Sequence, residues 1–343
     1  MAVWTHCRRR VRVRAWRLSD TLSSSPGAPM RTPHTQLSCP FRLPTLFQLA
    51  WAPPAFGATL AVAASDGTLT IWELKVGNET AWRRAGGPWP IPGGADAARP
   101  PPLAWAPPAH GPRLGAGGGD GVVRVYVADA LIGASRAWEL ESEFSAGGRP
   151  VTALAWRPAA DEEEEEEGKP SSPLPALLAA GTASGDAAVW AYRPSLGSWA
   201  RAAVLEGRAG GSRTTALAWA PRLGRPTELV AAASPASISL HTLSGPSDAP
   251  TVRTVATLDA PGVLPSTAGD VSASETGVWA LEFDAFGTWL AASLSGRVAS
   301  AEDAAAAAAA LPLPPRVCLW RPTLAGSWEL QGEVVAGEEV AGG

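Results

Sequence analysis

The sequence predicts an all-β chain of repeated four-stranded units, an open β-propeller of about six blades with the first one incomplete. Three observations carry this. A five-residue motif returns along the chain, each copy is followed by the same order of strand, turn and strand, and the composition joins 16 Trp, 36 Gly and 33 Pro to only 2 Tyr and 2 Met. Many short strands with glycine turns and one aromatic set per unit are the composition of a repetitive β architecture.

The motif reads Leu49-Ala50-Trp51-Ala52-Pro53 and Leu103-Ala104-Trp105-Ala106-Pro107. It returns as Leu154-Ala155-Trp156-Arg157-Pro158, as Leu217-Ala218-Trp219-Ala220-Pro221, and in degenerate form as Leu281-Glu282-Phe283-Asp284-Ala285. Large apolar residues alternating with small or polar ones have the period of a half-buried strand. The proline then ends the strand, because it has no N–H for the ladder. A small-residue strand follows, as in Leu60 to Ala64. An Asp-Gly turn comes next (Asp66-Gly67, Asp120-Gly121), which is a strong hairpin signal between alternating runs. The third strand ends on a large residue: Trp72, Tyr126, Trp190, Leu240 and Trp320.

Spacing supports the repeat. From first-strand aromatic to third-strand end the distance is 21 residues for 51 to 72, 105 to 126 and 219 to 240, but 34 for 156 to 190 and 37 for 283 to 320. Both long intervals hold a low-complexity insert, near 161–175 with six consecutive glutamates and near 299–315 with an alanine run. The domain reading is therefore an atypical segment over 1–45, a propeller with five recognisable blades over 46–335, and a tail over 336–343. Val11 to Trp16 reads as the third strand of a further, incomplete blade, and an open sheet edge is expected beside it.

With these residues in order, the chain resembles the SEH-type WD-repeat nucleoporins and their relatives of the Sec-thirteen family. Trp51-Ala-Pro-Pro-Ala-Phe56-Gly57 is similar to the family's first-strand segment with its Phe-Gly turn. Trp105 to Gly111, Asp120 to Tyr126, Ala128-Asp129-Ala130 and Trp138-Glu139-Leu140 resemble one SEH blade. Trp219 to Pro226, with Leu223-Gly224-Arg225-Pro226, resembles a second landmark. Val278-Trp279, Phe283, Gly287-Thr288, Leu290 to Ser293, Leu319-Trp320 and Gly326-Ser-Trp328 resemble the last blade of both families. The resemblance covers roughly residues 46 to 335, and departs from the family in the missing first blade, the two inserts and residues 1–45.

The resemblance implies a non-enzymatic scaffold subunit of the Y-shaped nuclear-pore coat. A scaffold nucleoporin would donate a blade to the open edge by main-chain pairing, and other subunits of the coat would assemble around it. Nucleocytoplasmic transport and a related nutrient-signalling coat at the vacuolar membrane follow from the same resemblance. A Sec-thirteen-like subunit of the COPII vesicle coat, or a generic WD-repeat adaptor, is the alternative. The implied location is the nuclear pore and nuclear envelope, reached through complexes, or else cytoplasm and vacuolar membrane.

The remaining chemistry is sparse. A net charge of −4 with scattered basic residues gives no footprint for direct nucleic-acid binding. No apolar run reaches the 18 residues of a membrane-spanning helix. Cys7, Cys39 and Cys318 are too few and too distant for a disulfide framework, which suits a reducing compartment. His6, His34, His110 and His241 lack metal spacing, and His110 reads as a turn or surface residue. Gly117-Gly118-Gly119 lies between strands without the Gly-Lys-Ser/Thr ending of a phosphate loop, so the run reads as a turn. Asp161 to Glu167 reads as a solvated loop. Arg8, Arg9, Arg10, Arg12, Arg14 and Arg17 read as an exposed basic strand, with a transit peptide as the alternative. No catalytic, cofactor-binding or metal-binding residue is assigned, no cofactor is expected, and the partner-binding residues stay unassigned. The tryptophans read as core packing, a few of them as interface anchors.

Truncating Trp156 or Trp219 to Ala is therefore expected to cost roughly 3–5 kcal/mol, read as a lowered midpoint in urea denaturation.

Overall fold

The computed structural model describes residues 46–74, 81–93, 100–128, 137–159, 175–206, 212–222, 225–261, 277–297, 312–324 and 326–335. The segment Val11 to Trp16, the acidic run and the alanine run lie outside the described residues.

Twenty strands form five four-stranded antiparallel sheets in chain order. The first sheet holds β1 (Leu46–Trp51), β2 (Thr59–Ala64), β3 (Thr68–Leu74) and β4 (Trp82–Pro90). The second holds β5 (Leu103–Trp105), β6 (Arg113–Gly117), β7 (Val122–Ala128) and β8 (Trp138–Ser145). The third is built from β9 (Val151–Trp156), β10 (Leu177–Thr182), β11 (Ala187–Arg193) and β12 (Ser198–Leu205). The fourth comprises β13 (Ala216–Trp219), β14 (Glu228–Ala233), β15 (Ser237–Ser244) and β16 (Thr251–Asp259). The fifth comprises β17 (Gly277–Phe283), β18 (Leu290–Arg297), β19 (Pro312–Pro322) and β20 (Trp328–Val335). Each is an up-and-down blade, so the all-β propeller reading holds.

The local chemistry explains the elements. In the four copies that carry a proline the motif strand ends at the tryptophan, two residues before it, and in the first two sheets a 3₁₀ turn (Pro54–Phe56, Pro108–His110) leads into the second strand. The Asp-Gly turns close β2–β3 and β6–β7. Asp66 Oδ1 accepts the Thr68 N–H at 3.0 Å, and Asp120 Oδ1 accepts the Val122 N–H at 3.1 Å. Gly67 and Gly121 take φ near +77° and +78°, open to glycine at little steric cost.

Three sequence readings are corrected by the structure, the first by the pairing register. Trp219 pairs with Val230 and Val230 with His241, whereas Trp51 pairs with Leu60 and Leu60 with Trp72. His241, not Leu240, therefore occupies the place of Trp72. Leu240 points to the opposite face and joins the core against the fifth sheet. The equal spacing of 21 residues misled here because a one-residue slip exchanges the faces of a strand. The glycine run is also not wholly a turn: Gly115 and Gly117 lie in β6, where a Cβ on Gly117 would press on Val151 and Pro102. Similarly, β19 begins at Pro312, inside the stretch read as insert.

Four apolar cores lie between successive sheets, each drawn from two facing sheets. The first strands β1, β5, β9, β13 and β17 contact one another in that order and form the inner side of the array. Among the described residues no comparable contact joins the fifth sheet to the first. The array is open.

His241 is fully buried between the third and fourth sheets. Its Nδ1 lies 3.2 Å from Thr254 Oγ1, while Nε2 is buried without a hydrogen-bond partner. Burial disfavours the charged ring and pulls its pKa down to about 4, from 6.5. The unfolded chain therefore binds a proton at a higher pH than the folded one. Stability is retained above pH ~6.5 and declines as pH falls towards ~4, by about 3 kcal/mol from this residue. Urea denaturation of the chain at pH 7.5 and pH 4.5 is expected to show the loss, and His241→Gln is expected to flatten it.

Candidate partner interface

The same inter-sheet contact is built twice in the first three sheets. Trp105 of the second sheet donates its indole N–H to the Ala50 carbonyl of the first at 3.0 Å. Trp156 of the third donates to the Ala104 carbonyl of the second at 2.9 Å. A fourth-strand tryptophan packs edge-on against each: Trp105 with Trp138 at 5.3 Å and 77°, Trp156 with Trp199 at 5.7 Å and 70°. These partners also donate backwards, Trp138 to Glu73 Oε1 at 3.2 Å and Trp199 to Ser142 Oγ at 3.0 Å. A third contact completes the set. An aromatic on the preceding fourth strand lies against the third-strand aromatic, Trp89 on Tyr126 at 4.4 Å and Phe144 on Trp190 at 4.5 Å.

Charged clamps join the later sheets. Arg157, which stands where three other motif copies have Ala, is buried and reaches Glu228 Oε1 at 3.3 Å and Ser247 Oγ at 3.2 Å, besides the Pro175 carbonyl. Burial lowers the Arg157 pKa, and Glu228 opposes that shift. Arg225, from the Leu-Gly-Arg-Pro landmark, donates to the Gly287 carbonyl at 3.1 Å and to the Pro221 carbonyl. It ties the fourth sheet to the fifth.

The histidines and cysteine are placed as follows. His110 ends its 3₁₀ turn half-buried, and its carbonyl accepts from Arg113. Burial first, then the Arg157 and Arg113 charges, hold its pKa down to about 4. His110 and His241 therefore sit in different environments and do not meet. Cys318 is buried in the fifth sheet, and burial raises its pKa. His6, His34, Cys7, Cys39 and the arginines Arg8 to Arg17 lie outside the described residues. No group of three or more His, Cys, Asp or Glu able to hold a metal occurs among the described residues. No helix there is long and apolar enough to cross a membrane.

What remains is a sheet face without a covering sheet, among the described residues, at each end of the array. The outer face of the first sheet carries Leu49, Trp51, Val62, Thr70, Trp72 and Trp82, with Trp51 39% exposed. The outer face of the fifth carries Ala280, Ser293, Val317, Leu319 and Val334, with exposed Trp279 beside them. The sequence reading, core packing with a few interface anchors, did not say which tryptophans lie on this face. The available signal was position: Trp51 belongs to the first of the five motif copies in the sequence.

The architecture defines the class, an open β-propeller of the WD-repeat type. No family model matches the chain. Curated relatives do. The protein transport protein SEC13 of Coccidioides immitis is 28% identical over 178 residues, 51% of this chain and 54% of its own length. Protein SEH1 of Arabidopsis thaliana is 25% identical over 304 residues, 84% of this chain and 80% of its own. Nucleoporin SEH1-A of Xenopus laevis is 26% identical over 195 residues, 55% of this chain and 51% of its own. The chain thus spans about half the length of the first and third of these proteins. The chain is similar, at low identity, to WD-repeat proteins of the Sec13/SEH1 type.

Arg157→Ala is expected to destabilise the chain by roughly 3–5 kcal/mol, because Glu228 would be left as a buried charge without its partner. Calorimetric unfolding checks this, with Arg157→Ala/Glu228→Gln expected to recover part of the loss.

Proposed function

We propose that the chain is a non-enzymatic scaffold subunit of the Y-shaped nuclear-pore coat, in which a partner nucleoporin supplies the sheet that completes the propeller. The observation that carries this is the pair of uncovered terminal sheet faces in a chain similar over 84% of its length to a protein named SEH1. Apolar sheet faces of this kind are interaction sites on soluble chains. Residues 46–335 form the propeller domain in this reading, flanked by 1–45 and 336–343. The protein acts in protein and mRNA transport at the nuclear envelope, and in a related nutrient-signalling coat at the vacuolar membrane, held there by other subunits rather than by nucleic acid or a membrane span.

The similarity to SEC13 favours a second reading, a subunit of the COPII vesicle coat. Affinity purification of tagged full-length chain from its own cells separates the two. Recovery of Y-coat subunits, with a nuclear rim in microscopy, is the expected result. Recovery of vesicle-coat subunits, with signal at endoplasmic-reticulum exit sites, would replace it.

A further inference from the structure

Among the described residues, the large apolar side chains with the greatest exposure are Leu324 at 110%, Leu196 at 67% and Phe286 at 66%. Each stands in a turn, whereas the other exposed large apolar residues stand on strands. Leu196 lies between β11 and β12, Phe286 between β17 and β18, and Leu324 between β19 and β20. These turns share one rim of the array. Arg157, just past β9, reaches the Pro175 carbonyl before β10 and Ser247 between β15 and β16. Tyr192, near the end of β11, donates its N–H to the Ala176 carbonyl before β10 at 3.0 Å, which puts the Leu196 turn on that rim. Arg225, between β13 and β14, reaches the Gly287 carbonyl beside Phe286. Leu324 follows by alternation within the fifth sheet.

Folding does not call for apolar residues at these tips. Main-chain bonds close the turns without them: Leu196 donates to the Arg193 carbonyl at 3.0 Å, Gly287 to the Asp284 carbonyl at 2.9 Å and Gly326 to the Thr323 carbonyl at 3.0 Å. Asp284 also accepts the Thr288 and Trp289 N–H groups at 2.6 and 2.8 Å. The tips are thus held outward. Two of them are near copies, Arg193-Pro194-Ser195-Leu196 and Arg321-Pro322-Thr323-Leu324. Both arginines are exposed, and neither has a carboxylate partner among the described residues, unlike Arg83, Arg113, Arg124, Arg157 and Arg316. The opposite rim is of another kind. Its turns carry Asp66-Gly67, Asp120-Gly121 and Ser184-Gly185-Asp186, with no exposed large apolar residue.

We propose that the rim carrying Leu196, Phe286 and Leu324 rests on a lipid bilayer with anionic headgroups. The three side chains enter the boundary between headgroups and acyl chains, while Arg193 and Arg321 reach lipid phosphates. Single apolar tips standing on separate sheets offer a protein partner no continuous patch. A bilayer yields around each tip separately, and a leucine with an arginine three residues before it matches an apolar layer under an anionic one. The β15–β16 turn carries exposed Asp248 and no exposed large apolar residue, so the third and fifth sheets make the contact. This contact needs no membrane span and no particular coat, and it goes beyond the scaffold reading.

The test floats the purified full chain on a density gradient with phosphatidylcholine vesicles that contain or lack phosphatidylserine. The chain is expected to rise with the phosphatidylserine vesicles and much less with the others. Leu196→Ser/Phe286→Ser/Leu324→Ser is expected to lower the floated fraction at least about tenfold and to keep the melting temperature of the parent. Arg193→Gln/Arg321→Gln is expected to remove the preference for phosphatidylserine. A chain that stays at the bottom with both vesicles, equal flotation on both, or Ser variants that float like the parent would each overturn the proposal. So would Leu324→p-benzoylphenylalanine that crosslinks in cells to one polypeptide while the purified chain fails to float, which would assign the rim to a protein. None of these outcomes touches the scaffold reading, which stands or falls on the co-purifying subunits.

Discussion

The structure depends on each sheet having a neighbour to cover its broad apolar face. A four-stranded sheet buries little alone; its stability comes from stacking on the next one, as in other repeat architectures. In this chain the stacking is specified by tryptophan. Trp105 and Trp156 fill the gap between inner strands and fix the approach of successive sheets by donating to Ala50 and Ala104 carbonyls. Large aromatic area supplies most of the energy, and the indole N–H supplies the direction. The small residue before each tryptophan follows from this, because the accepting carbonyl must be approached closely by a bulky ring.

The device changes along the array. In the fourth sheet the fourth-strand tryptophan gives way to Val252 and the third-strand aromatic to His241, whereas the fifth sheet keeps Trp328 against Phe283 at 6.4 Å and 71°. Charged groups take over the joining role. Arg157 bridges the third sheet to Glu228 on the fourth, and Arg225 bridges the fourth to the Gly287 carbonyl on the fifth. A buried guanidinium–carboxylate pair adds little net stability compared with apolar packing, but it fixes a single docking arrangement. The two ends of the array thus differ chemically: a tryptophan-rich face with unmet donors at the first sheet, and a face of small residues at the fifth.

An open array of blades and a scaffold role fit together through the same physics. Closure of the ring would cover both terminal faces. Leaving them uncovered exposes apolar surface and sheet edges that tend to associate; in the proposed function, a partner that contributes a sheet turns this liability into a specific interface.

The strands were legible from local pattern. The Leu-Ala-Trp-Ala-Pro motif, the Asp-Gly turns and the large third-strand residues marked the elements, because alternation and turn stereochemistry act within a few residues. The resemblance added the expectation of a family and of a partner. Two things were decided only by the tertiary structure. Spacing counts residues but not faces, so it could not show that His241 replaces Leu240 at the packing position; the pairing register, set across strands, decided that. Nor could the motif tell a covered tryptophan from an uncovered one. Trp51, Trp105 and Trp156 sit in the same local sequence, and what separates them is whether a neighbouring sheet stands in front of the indole. That is a property of long-range stacking, which no local pattern contains.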